Sequence, residues 1–182
     1  IFAGDRNITS VSGGQFITTI GDGAFEYSSL TTANFPQATT IGDSAFAYTS
    51  LTTAYFPQVT TIGDGAFGYS SLTTANFPQA VTIGEYAFAG TPLTTANFPQ
   101  VTTIGDSAFG FTSSLTTANF PQATTIGEYA FAYSLLASLY LGQNAPAEAT
   151  DVFFETPNVT VYVTNPTATG YGATWNGRPV VR

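Results

Sequence analysis

Apolar residues return along this chain in a fixed cycle. Ile20, Ile41, Ile62, Ile83 and Ile104 stand 21 residues apart, and Ile126 follows after 22. Each is followed by Gly, an acidic residue, one variable residue and then Ala-Phe. A repeat of this length and fidelity predicts a solenoid, in which no unit buries its core without its neighbours. One unit, residues 30–50, reads LTTANFPQATTIGDSAFAYTS.

The pattern inside the unit assigns its elements. Ala33 and Phe35 alternate with Thr32 and Asn34 at period 2, which predicts a half-buried strand with Thr32 and Asn34 facing solvent. Pro36 lacks an N–H and ends that ladder. Thr39-Thr40-Ile41 is β-branched and predicts a second short extended segment. Gly42 reads as a sharp turn through positive φ. Asp43 reads as the cap of one helical turn holding Ala45 and Phe46, and so short a segment favours a 3₁₀ turn.

Stacked coils bring equivalent residues to about the 4.8 Å spacing of neighbouring strands. Phe35, Phe56, Phe77, Phe98 and Phe120 then form one internal aromatic column. Phe25, Phe46, Phe67, Phe88, Phe109 and Phe131 form a second. Each buried Phe contributes about 1.5–3 kcal/mol, so these columns are expected to dominate stability.

Composition narrows the chemistry. The 182 residues carry 43 % hydrophobic and 15 % aromatic side chains but only 8 % charged ones. The net charge is −8, and the cations are Arg6, Arg178 and Arg182 alone. With no basic stripe to neutralise phosphates, nucleic acid and anionic membrane surfaces are disfavoured partners. No apolar run reaches the length of a membrane helix, so membrane insertion is not expected. Cys and His are absent, which removes disulfides, thiolate metal sites and the commonest catalytic base and nucleophile. Met is absent too, so Ile1 reads as a processed end or as the cut boundary of a longer chain.

The unit Leu-x-x-[Leu/Ala]-x-[Leu/Phe]-Pro followed by Ile-Gly-x-x-Ala-Phe resembles the bacterial BspA-type (Treponema-type) leucine-rich repeat. Leu51-Thr52-Thr53-Ala54-Tyr55-Phe56-Pro57 with Ile62-Gly63-Asp64-Gly65-Ala66-Phe67 is one complete instance. The match spans nearly all of residues 8–163. These units are shorter than the family's usual one. Tyr27, Tyr48, Tyr69 and Tyr133 stand where a small residue or Cys commonly follows Ala-Phe, and Ala33, Ala54, Ala75, Ala96 and Ala118 replace the strand's usual Leu. The resemblance implies an α/β-type leucine-rich-repeat solenoid, a right-handed superhelix of roughly eight strands with short 3₁₀ or helical turns on its convex side. A single domain is expected over 1–182. Residues 1–29 would form a degenerate first repeat, 30–141 the regular repeats, and 142–182 a last degenerate repeat and C-terminal cap. Ile1-Phe2 resembles the tail of an Ala-Phe unit, which suggests a longer array. Leu136, Leu139 and Leu141 open the last regular coil, Phe153-Phe154 takes the Ala-Phe place, and Val159–Val163 reads as the final strand. The segment with Tyr171 and Trp175 resembles the family's closing cap.

Two surface columns carry the candidate chemistry. Asp22, Asp43, Asp64, Glu85, Asp106 and Glu128 form an acidic line. It reads as turn capping rather than a calcium ladder, because the oxygen-rich loop spacing of calcium motifs is missing. No metal site and no cofactor are expected. Thr32, Thr53, Thr74, Thr95 and Thr117, beside Asn34, Tyr55, Asn76, Asn97 and Asn119, form the outward strand face, and Tyr140 joins them in the last regular coil. In the resembled family this sheet lines the concave side, where repeat solenoids bind partners, and exposed Tyr is a favoured contact residue.

The acids sit in identical environments, whereas acid–base pairs need environments that separate their pKa values. The chain therefore reads as non-enzymatic. The resemblance implies an exported module at a bacterial cell surface that recognises extracellular host proteins or glycans. The rivals are a structural spacer or a surface rod that self-associates through its N-terminal edge, and an ice-binding surface built on the Thr columns.

Overall fold

The computed structural model describes residues 2–165 and 167–182. The expectation placed on Ile1 lies outside these residues. The strands are β1 (Ser10–Ser12), β2 (Thr19–Ile20), β3 (Thr32–Asn34), β4 (Thr40–Ile41), β5 (Thr53–Tyr55), β6 (Thr61–Ile62), β7 (Thr74–Asn76), β8 (Thr82–Ile83), β9 (Thr95–Asn97), β10 (Thr103–Ile104), β11 (Thr117–Phe120), β12 (Thr125–Ile126), β13 (Ser138–Leu141), β14 (Thr160–Val163), β15 (Thr174–Trp175) and β16 (Arg178–Val181).

They build a strand-dominated β-solenoid of about eight coils. The Thr-Ile segments β2, β4, β6, β8, β10 and β12 pair in sequence order into one parallel six-stranded sheet. The Thr-Ala-Asn segments form a parallel row on another face. Within that row β1 pairs with β3, β5 with β7, and β9 continues through β11, β13 and β14 to β16. The register is that of the repeat, for example Ala54 opposite Ala75 and Ala118 opposite Leu139.

The third edge of each coil corrects the α/β expectation. Among the described residues there is no α-helix and no 3₁₀ segment. The reason lies in where the N–H groups go. In the coil of Asp43, the N–H groups of Ser44, Phe46 and Tyr48 donate to the carbonyls of Asp64, Ala66 and Gly68 in the next coil. Only the alternate N–H groups of Ala45 and Ala47 close local turns, onto Gly42 and Ser44. A helix needs every N–H for itself, so the stack wins. Ser44 and Tyr48 accordingly take positive φ, at 53° and 55°.

Gly42 also differs from expectation: it is not among the positive-φ residues. Its role is close approach. A Cβ there would lie 2.7 Å from the Asp22 nitrogen and 2.9 Å from the Gly21 carbonyl carbon, atoms of the preceding coil's backbone. The same crowding recurs at Gly63, Gly84, Gly105 and Gly127.

The core is continuous along the axis. Leu30, Leu51, Leu72, Leu93, Leu115 and Leu136 are buried, as are the Ile column and both Phe columns. Rings stack within each column, as at Phe67–Phe88 (5.4 Å, 3°), and meet edge-on between columns, as at Phe67–Phe77 (5.5 Å, 62°). Phe2 extends the turn column at one end by stacking on Phe25 at 5.7 Å. At the other end Val152 and Phe153, rather than Phe153 and Phe154, occupy the Ala-Phe place. Phe131 donates its N–H to the Val152 carbonyl and its ring stacks on Phe153 at 6.1 Å. Beneath the turns runs a buried hydroxyl column not expected from the sequence. Ser28, Thr49, Ser70, Thr91, Thr112 and Ser134 each donate to the Phe carbonyl three residues back, which satisfies groups that burial would otherwise penalise.

The C-terminal segment closes the core. Trp175 is buried edge-on against Phe153 and donates from Nε1 to the Pro146 carbonyl at 2.9 Å. Strand β16 adds in parallel to β14 and pairs antiparallel with β15.

Candidate functional site

The row of short strands gathers every residue proposed for binding. Period 2 turns Ala and Phe inward, so Thr and Asn emerge on one face. Thr53 lies opposite Thr74, and Tyr55 opposite Asn76. Thr95 lies opposite Thr117, Asn97 opposite Asn119, and Asn119 opposite Tyr140. Thr32 and Asn34 pair instead with Ser10 and Ser12. The strand ladder is interrupted between β3 and β5 and between β7 and β9, so the candidate residues fall into three blocks of one row.

Their environments are unequal. Thr32, Asn34, Thr53, Tyr55, Thr74, Asn76, Thr95 and Asn97 are exposed, whereas Thr117, Asn119 and Tyr140 are half-buried. Tyr55 is 56 % exposed, with its hydroxyl and ring both available to a partner. Asn119 donates from Nδ2 to Asn97 Oδ1 at 2.9 Å, which joins two coils side chain to side chain. Tyr140 stacks on Tyr162 at 5.0 Å. Tyr162 belongs to the same column, opposite Tyr140, and was missed from the sequence. The alternation in Thr160-Val161-Tyr162-Val163 was the signal for it.

The acidic column caps, though not as the sequence suggested. Each Asp reaches forward to the next coil instead of back onto its own turn. Asp22 Oδ1 accepts the N–H of Asp43 at 3.0 Å, Asp43 Oδ1 that of Asp64 at 2.9 Å, and Asp64 Oδ1 that of Glu85 at 2.8 Å. Asp106 does the same for Glu128 at 2.8 Å. One oxygen of each of these Asp side chains therefore ties neighbouring coils together.

In the sequence the tyrosines after Ala-Phe stand only as departures from a pattern. They form an exposed ladder on the turn face. Tyr27 stacks on Tyr48 at 4.6 Å and Tyr48 on Tyr69 at 5.2 Å, all three about half exposed. Gly90 interrupts the ladder, and Phe111 and Tyr133 resume it at 4.8 Å. A bulky aromatic recurring where neither the strand nor the core needs one was the available signal.

The comparisons agree with this geometry. The model of the BspA type leucine rich repeat region matches in six copies, over residues 1–91 and 39–160. No curated protein matches the sequence. Among solved structures, the pneumococcal vaccine antigen PcpA is similar, with a TM-score of 0.56 and 20 % identity. The alignment covers 88 % of this chain and 44 % of that one, so the chain spans less than half of PcpA, and the likeness concerns the fold. The matched repeats, their inward Leu, Ile and Phe columns and the stacked coils lead to one assignment: the chain belongs to the BspA-type leucine-rich-repeat family.

Proposed function

We propose that this domain is a non-catalytic recognition module, exported to a bacterial cell surface, that binds extracellular proteins or glycans through its strand face. The reading includes the family's geometry, a right-handed superhelix with the strand row on the concave side. The observation that carries it is the exposed Tyr55 beside Thr53, Thr74 and Asn76 on the parallel pair β5–β7. A half-exposed aromatic framed by amide and hydroxyl groups offers apolar contact area and hydrogen bonds at low entropic cost. The family assignment and the PcpA-like fold support a surface role, and the absence of His and Cys from the sequence favours binding over catalysis.

A screen of the purified domain against extracellular-matrix proteins and a glycan array tests the reading. A saturable ligand is the expected result. No ligand in either set would favour a second reading, a stiff spacer, which the unbroken Phe stack from Phe25 to Phe153 would suit mechanically.

A further inference from the structure

The turn face carries a groove unrelated to the strand row. Its floor is made of small residues: Ala47, Gly68, Ala89 and Gly110 recur there, all buried. One wall is the aromatic ladder. The other is the column Ser44, Gly65, Tyr86 and Ser107, followed by Tyr129. Where Gly65 and Gly68 replace the Ser44 and Ala47 of the preceding coil, the groove deepens into a cavity of about 170 Å³ lined by Tyr48, Tyr69 and Tyr86. These rings are 45–50 % exposed. The next coil exchanges its aromatic from one wall to the other. Gly90 stands in the ladder position, where a Cβ would lie 2.6 Å from Tyr69 Cε1, while Tyr86 lines the cavity from the opposite column.

The electrostatics name the occupant. Asp43, Asp64, Glu85 and Asp106 immediately precede Ser44, Gly65, Tyr86 and Ser107, so exposed carboxylates stand next in the chain to one wall of the groove, outside the cavity lining itself. The Asp side chains commit Oδ1 to the neighbouring coil and leave Oδ2 for a partner. The chain's own cations, Arg6, Arg178 and Arg182, sit near its two ends. Aromatic rings edged by unneutralised carboxylates attract a guanidinium or ammonium group through the ring quadrupole and the anion together. A neutral sugar would gain ring contacts and hydroxyl-to-carboxylate hydrogen bonds but no charge attraction, and an anionic ligand would be repelled.

We propose that this groove is a second binding site, which takes an arginine- or lysine-bearing stretch of a partner polypeptide with a cationic side chain seated between Tyr69 and Tyr86. Fluorescence anisotropy of a labelled deca-arginine peptide against the full chain tests it, with a Gly-Ser peptide of equal length as control. Tyr69→Asn with Tyr86→Asn leaves the net charge unchanged and suits the positive φ at both positions, 54° and 53°. This variant is expected to bind at least tenfold more weakly while its circular dichroism stays that of the parent. Asp64→Asn keeps the backbone acceptor and is expected to weaken binding severalfold at low salt. Equal affinity of the parent and the tyrosine variant would overturn the proposal, since it would reduce the interaction to unspecific charge attraction. Failure of the parent to bind, or displacement of the peptide by a neutral oligosaccharide, would overturn it as well.

Discussion

Asp64 Oδ1 accepts the backbone N–H of Glu85 at 2.8 Å, one coil further along the chain. The carboxylate thus acts as a bracket between coils. Asp64→Asn preserves an acceptor at that point and is expected to change stability by less than about 0.5 kcal/mol. Asp64→Ala leaves the N–H to water and is expected to cost about 0.5–1.5 kcal/mol. Urea midpoints of the two variants measure the difference. If the two matched, the bracket would have no energetic role.

From Ile41 to Ile126, the glycine after each repeat Ile is held by the backbone of the preceding coil. A Cβ on Gly63 would lie 2.7 Å from the Gly42 carbonyl carbon and 2.8 Å from the Asp43 nitrogen, and neither atom can rotate away. Gly63→Ala is therefore expected to destabilise by about 1–3 kcal/mol, as overpacking does. At Gly21 a Cβ would meet nothing within 4 Å. Gly21→Ala is expected to stay within about 0.5 kcal/mol of the parent. Thermal melts of the pair give the comparison, and equal losses would point to backbone conformation instead of contact.

Ser107 sits at φ 51°, in a column that holds Gly23 and Gly65 at equivalent turns. A left-handed conformation costs a residue with a Cβ about 1–2 kcal/mol, part of which glycine returns through its freer unfolded chain. Ser107→Gly is expected to raise stability by about 0.5–1 kcal/mol. A lowered urea midpoint would show that the serine side chain contributes more than its strain removes.

Burial pushes the Tyr171 phenol up to about 12, and its hydroxyl donates to the Asn144 carbonyl at 3.2 Å. The neutral form is the one the fold accommodates. An unfolded tyrosine ionises near pH 10, so the contribution of Tyr171 is complete below about pH 10 and lost as pH rises through about 12. Denaturation at about pH 9 and about pH 11 should show a larger loss for the parent than for Tyr171→Phe. Parallel losses would mean that Tyr171 does not govern the alkaline limit.

Most of the coil was legible in the sequence because its determinants are apolar residues at fixed phase. Ile41, Phe35 and Phe46 lie inward as their spacing demands, and Thr32 and Asn34 lie outward as period 2 demands. The turn was not legible. Asp43-Ser44-Ala45-Phe46 has the composition of a helix start, but the N–H groups of Ser44 and Phe46 find acceptors in Asp64 and Ala66, residues outside any local window. The same non-local origin hides the function of Gly42, the forward reach of Asp43 and the positive φ of Tyr48. On the candidate strand face, the Thr and Asn positions of β5 and β7 and of β9 and β11 lie opposite one another as period and phase predict, while the ladder breaks between β3 and β5 and between β7 and β9. The Tyr140–Tyr162 stack escaped because the last coils depart from the regular motif.

The proposed recognition surface is the strand row around Tyr55 and Asn76. The most direct measurement is the affinity of the ligand found by screening, for the parent and for Tyr55→Ala with Asn76→Arg, with circular dichroism establishing that both are folded. A loss of at least tenfold is expected, since the variant removes an exposed aromatic and places a large cation one strand away. Unchanged affinity in the folded variant would contradict it and assign the contacts to another face of the solenoid.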